Sequence, residues 1–119
     1  TYLQDLANAN FEMKLGGWSG GTGDSDNILF PLYHSSSAGA AGNHGRYKNP
    51  ELDKYIEAGR ATSDPVERKR NYEIAQQMIQ DDIACVPLYY SMDNMVMRKN
   101  IKNFKFRSTY FHVIKDIEF

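Results

Sequence analysis

Two Asx-proline pairs, Asn49-Pro50 and Asp64-Pro65, constrain this chain more than any other feature. Each sets an N-capping side chain before a proline whose fixed φ suits the first helical turn and whose missing N–H costs nothing there. Asn49-Pro50-Glu51 therefore opens a helix with Leu52, Tyr55 and Ile56 on one apolar face, expected to end between Gly59 and Thr62. Asp64-Pro65-Val66-Glu67 opens a longer one. There Glu67 is placed to reach back in a capping box, and Ile74, Ala75, Met78 and Ile79 supply the buried stripe.

Upstream, Tyr2-Leu3-Gln4-Asp5-Leu6-Ala7 reads as the end of an amphipathic helix without a start signal. Phe11-Glu12-Met13-Lys14-Leu15 alternates apolar and charged residues, the period of a half-buried strand that Gly16 and Gly17 close. Residues 28–33 read as a short helix or apolar turn, kept short by Pro31, and 35–45 as a small, polar surface excursion. Downstream of the second long helix, Val86-Pro87-Leu88-Tyr89-Tyr90 reads as a buried strand whose proline puts it at an edge or a strand start. Met92 to Met97 continues extended. The tail, 101–119, carries Phe104, Phe106, Tyr110, Phe111, Val113, Ile114, Ile117 and Phe119, and must pack on something.

A net charge of −1 offers no broad attraction for nucleic acid or anionic membranes. No run of about 18 apolar residues is present to span a bilayer, and no signal segment opens the sequence, so any export signal is expected upstream or already removed. Cys85 lies in an apolar run and reads as a small buried hydrophobe.

Catalytic and metal chemistry find little purchase. His34, His44 and His112 lack paired ligand spacing and read as loop or surface residues; no second cysteine completes a zinc set. Ser35, Ser36 and Ser37 stand outside any nucleophile elbow. Asp24 and Asp26 open like a calcium loop, but Ile28 occupies a ligand position, so helix capping is their expected job. The glycines of 16–23 match neither dinucleotide nor P-loop spacing. Arg68-Lys69-Arg70 beside Glu67 and Glu73 reads as a solvated helix face. No cofactor is expected. What remains is Trp18, alone in the chain and followed by glycines that let a backbone approach a ligand closely: a recognition loop, or else a core tryptophan at a strand end.

Three passages taken in order, residues 17–27 (Gly17-Trp18-Ser19-Gly20-Gly21-Thr22-Gly23-Asp24-Ser25-Asp26-Asn27), 47–54, and 64–68 leading through Ala75-Gln76 to 86–90, resemble the oligopeptide and dipeptide solute-binding proteins of ABC importers. The resemblance implies an α/β chain: the C-terminal fragment of a periplasmic-binding-protein-like (type II) two-lobed fold, its helices packed on a small mixed sheet. Residues 1–90 would belong to the second lobe, and 91–119 to a tail returning to the first. It also implies capture of peptides or related small solutes outside the membrane, in the periplasm or at a lipid-anchored outer face, with delivery to ABC permease subunits and no enzymatic step. The cleft-facing residues would be Trp18, Ser19, Gly20, Gly21 and Thr22, with Tyr89 and Tyr90 as pocket wall. Peptide binders of the family place an amine-clamping aspartate three residues past the tryptophan. Here that position is Gly21. The family also includes binders of nickel complexes and glycans.

Two other readings stay open. One is a hydrolase using Asp24 or Asp26 as general base, which needs a second carboxylate or histidine opposite. The other is a purely structural interaction domain with Trp18 in its core. An isolated tail of this kind is also expected to self-associate.

Overall fold

A computed structural model describes residues 1–39, 42–107 and 112–119. The described chain divides into two compact units, Thr1–Val86 and Pro87–Phe119.

The first unit is helical. Helix α1 spans Tyr2–Asn8, α2 Asp26–Tyr33, α3 Pro50–Ala61 and α4 Pro65–Asp81; a 3-10 turn at Ser35–Ser37 follows α2. The proline-led starts form as the sequence dictates. Asn49 Oδ1 accepts the N–H groups of Glu51 and Leu52, and Asp64 accepts that of Val66. The expected capping box does not close at α4. Glu67 instead accepts the Thr62 hydroxyl at 2.9 Å, because the Thr62 Oγ1 already receives the Asp64 N–H. At the first turn of α1 the Thr1 hydroxyl donates to Gln4 Oε1 at 3.1 Å.

Helices α3 and α4 pack along one another and α2 lies against both. Their shared core is Leu29, Leu52, Ile56, Tyr72, Ala75 and Ile79, with Phe30, Tyr33, Tyr47, Tyr55, Met78 and Ala84 at its margin. Leu52 and Ile56 are fully buried. Tyr72, on no expected stripe, enters the core because Gly59 leaves room for its ring.

No sheet forms among the described residues; only the isolated bridges Ala38↔Asn43 and Lys102↔Glu118 pair backbone in that way. Residues 11–15 and 86–90 have the composition of strands but remain irregular, with Met13, Leu15, Val86, Leu88 and Tyr90 exposed. A strand is stable only with a neighbour to accept its ladder, and no described segment supplies one. Cys85, expected inside, is exposed and lies 2.9 Å from the Tyr33 hydroxyl, whose pKa is raised first by burial and then by that thiol.

The second unit holds together through the Lys102–Glu118 bridge and through Phe104 and Phe106, whose rings flank His112 at 5.5 and 5.4 Å. Met95, Met97, Ile101, Phe104, Ile117 and Phe119 line an apolar groove in it. Tyr110 and Phe111, counted in the apolar tail, lie outside the described residues.

Candidate functional site

The glycine-rich segment between residues 16 and 25 is irregular, yet it is tied down at several points. Gly23 has φ +74, a left-handed value that glycine adopts without strain, and its N–H closes a turn on Gly20 O at 3.0 Å. Asp24 Oδ1 accepts the Asp26 N–H at 2.8 Å, which satisfies a donor at the open end of α2; Ser25, at the N-cap position itself, makes no side-chain cap bond. Thr22 Oγ1 accepts from the Asp24 N–H at 3.3 Å and from the Asn27 side-chain amide.

Trp18 is anchored on one side and open on the other. Its indole N–H donates to Asn27 O at 2.7 Å, satisfying the one polar atom of the ring. The ring edge abuts Gly42, where a Cβ would fall 3.3 Å from two ring carbons and 2.9 Å from the Pro31 carbonyl oxygen. Glycine is required at position 42 twice over, since its φ is +133. With 48% of Trp18 exposed, it is neither a core residue nor a free side chain, which disfavours the core-tryptophan reading.

Both carboxylates of the segment are already engaged. Arg68, on α4, holds both oxygens of Asp24 through a single nitrogen, Nη2, at 2.8 and 2.9 Å. Arg60 Nε, on α3, lies 3.2 Å from Asp26 Oδ1, while its guanidinium stacks 3.8 Å above the Phe30 ring. The Asp26 N–H and then Arg68 lower the pKa of Asp24 below its ordinary value. Asp26 Oδ1 and Tyr72 Oη are buried without an aligned hydrogen-bond donor or acceptor; burial, followed by Asp26, raises the Tyr72 hydroxyl. Capping by Asp24 is as expected, but its partner Arg68 sits in a run that reads as solvated. A general base needs a free lone pair facing substrate, and neither aspartate offers one opposite a second catalytic group.

His34 departs from its expected surface role. It is buried, stacked on Phe30 with ring centroids 4.4 Å apart, and tied through Nδ1 to Ser36 and through Nε2 to Glu57 at 3.2 Å. It organises the turn after α2 with Asn43, which donates to His34 O and Tyr47 O. His44 is only partly exposed and contacts Lys14 Nζ at 2.9 Å; burial and then that cation lower its pKa. Among the described residues no group of three or more His, Cys, Asp or Glu side chains is placed to hold a metal.

The structure thus brings Trp18, Ser19, Gly20, Gly21 and Thr22 together on one anchored loop, with Ser19 and Thr22 exposed and Gly20 and Gly21 half-buried. Tyr89 and Tyr90 belong to the other unit and are 78% and 100% exposed there. Asn27, Gly42 and Arg68 shape the loop but escape sequence reasoning. Asn27 holds Trp18 through its carbonyl, which any residue has, while its side-chain amide reaches Thr22; the other two contribute from 24 and 50 residues away from Trp18.

Known proteins define what kind of chain carries this loop. It is 32% identical over 113 residues to a probable D,D-dipeptide-binding periplasmic protein of Escherichia coli, covering 87% of this chain and 22% of that protein. It is 31% identical over 103 residues to a probable di/tripeptide-binding protein of Pseudomonas aeruginosa, covering 87% and 20%. The oligopeptide-binding protein AppA of Bacillus subtilis is 30% identical over 99 residues, covering 83% and 18%. No family model matches the chain. These relatives make it a member of the oligopeptide- and dipeptide-type solute-binding proteins. The chain spans about a fifth of the length of the curated relatives it matches.

Proposed function

We propose that this chain is part of the substrate-binding component of an ABC importer, one that captures peptides or related small solutes outside the cytoplasm and hands them to permease subunits without covalent chemistry. The observation that carries this reading is identity near 30% over most of the chain to several proteins named for dipeptide or oligopeptide binding. The anchored loop adds chemistry suited to it. Trp18 offers an aromatic face, and Gly20 and Gly21 offer backbone amides and carbonyls to an extended ligand.

The proposed placement is the C-terminal portion of a two-lobed protein, with residues 91–119 returning to the first lobe and the strand-like segments 11–15 and 86–90 pairing in a mixed sheet completed by the rest of that protein. The exposure of Met92, Val96, Ile114 and Phe119 supports a missing neighbour. Tyr89 and Tyr90 would serve as pocket wall in that setting, and the same exposed surface would pair chains if this segment were isolated. Within the described residues no helix is long and apolar enough to cross a membrane. Calorimetric titration of the intact protein with dipeptides and short oligopeptides tests the reading: saturable one-site binding supports it, and no binding to any of them contradicts it.

A further inference from the structure

The loop is tied to α4 through one side chain. Arg68 is the only described cation that grips Asp24, and it does so through both carboxylate oxygens while its other nitrogen donates to Gly59 O at 3.0 Å. That second bond seats the guanidinium on the backbone of α3 before it reaches the loop. Asp24 in turn receives the Asp26 N–H on Oδ1, the oxygen Arg68 also holds, so one carboxylate joins the α3–α4 pair to the first turn of α2. From there the chain of contacts is short. The N–H of Asn27 donates to Asp24 O at 3.2 Å, and the carbonyl of the same Asn27 receives the Trp18 indole.

We infer that Arg68 is the positioning residue of the recognition loop: by holding both oxygens of Asp24 it fixes the Asp24–Asn27 turn, and through Asn27 the orientation of Trp18. The inference rests on the proposed solute-binding role of that loop. Arginine is needed rather than lysine because two separate nitrogens are used at once, Nη2 on Asp24 and Nη1 on the Gly59 carbonyl, and a lysine ends in a single nitrogen. The link is a static one, between rigid helices and a segment that lacks regular backbone bonding of its own.

Hydrogen–deuterium exchange on the intact protein without ligand tests it, comparing the parent with Asp24→Asn and Arg68→Lys. Asp24→Asn keeps the shape and one acceptor oxygen and leaves the Arg68–Gly59 bond in place, so it spares the helix pair. Both variants are expected to speed exchange across residues 18–27 by about tenfold or more while 50–61 and 65–81 keep their protection. Unchanged exchange in 18–27, or an equal rise in both helices, overturns the inference, since the second pattern is plain loss of stability. Titration with the same dipeptides and short oligopeptides then reads the consequence. For a peptide that the parent binds, Asp24→Asn is expected to weaken binding by at least about tenfold, and unchanged affinity also overturns the inference. A parent that binds none of them counts against the ligand reading, and the exchange result still decides this one.

Discussion

Gly59 faces the ring of Tyr72 so closely that a Cβ on Gly59 would lie 2.5 Å from one ring carbon. A glycine near the end of a helix usually invites replacement by alanine, which favours helix by about 1 kcal/mol. Here steric overlap wins. Gly59→Ala is expected to destabilise the protein by about 1–3 kcal/mol, as overpacking does in well-filled cores. Denaturant unfolding followed by helix signal checks it; stabilisation would show that Tyr72 can move aside at little cost.

The core itself should be intolerant at two positions. Leu52→Ala or Ile56→Ala removes a fully buried side chain between the packed helices and is expected to cost about 2–5 kcal/mol. Val66→Ala, at the exposed start of α4, should change stability by less than about 0.5 kcal/mol. Comparable losses at all three sites in the same unfolding assay would contradict the assigned core.

Acid should loosen the loop. Asp24 has its pKa lowered in the folded protein by the Asp26 N–H and then by Arg68, so its contribution is fully present above the unfolded carboxylate value and is lost as pH falls through the lower folded one. The window therefore lies below about pH 4. Asp82, lowered by the Tyr47 hydroxyl and the Asn49 amide, adds to the same limb. Thermal midpoints of the parent and Asp24→Asn measured from pH 6 down to pH 2 should converge toward the acid end; a constant gap would remove Asp24 from the account.

Much of the helical unit was legible in the sequence because capping and periodicity are local. Asn49-Pro50 and Asp64-Pro65 mark α3 and α4 at their starts, and Leu52, Ile56, Ala75 and Ile79 fall on the buried faces expected of them. The failures are long-range. His34 is buried by partners on α3 that stand 19 and 23 residues away, a spacing with no pattern to read. The strand-like segments at 11–15 and 86–90 announce apolar surface correctly, but a sheet needs a partner, and neither finds one among the described residues. At the site, Trp18 and its glycines stood out by composition, whereas Arg68 was hidden in a basic run that looked like surface.

Ligand choice should reflect the loop's lack of free negative charge. Gly21 stands where the resemblance places an amine-clamping aspartate, and Asp24 and Asp26 are engaged by Arg68 and Arg60. N-acetylation of a bound peptide is therefore expected to cost the intact protein less than about 1.4 kcal/mol, a factor of ten. Gly21→Asp should raise preference for the free amine. A hundredfold loss on acetylation in the parent, read by titration with matched peptides, would mean that another residue supplies the clamp.

The most direct measurement is calorimetry of the intact protein against dipeptides, tripeptides and longer peptides, with Trp18→Ala beside the parent and the peptides recovered afterwards. One-site binding near or below about 1 µM is expected for at least one class, weakened by about tenfold or more in the variant, with every peptide recovered unchanged. Absence of binding across the series, or recovery of cleaved peptide, would contradict it.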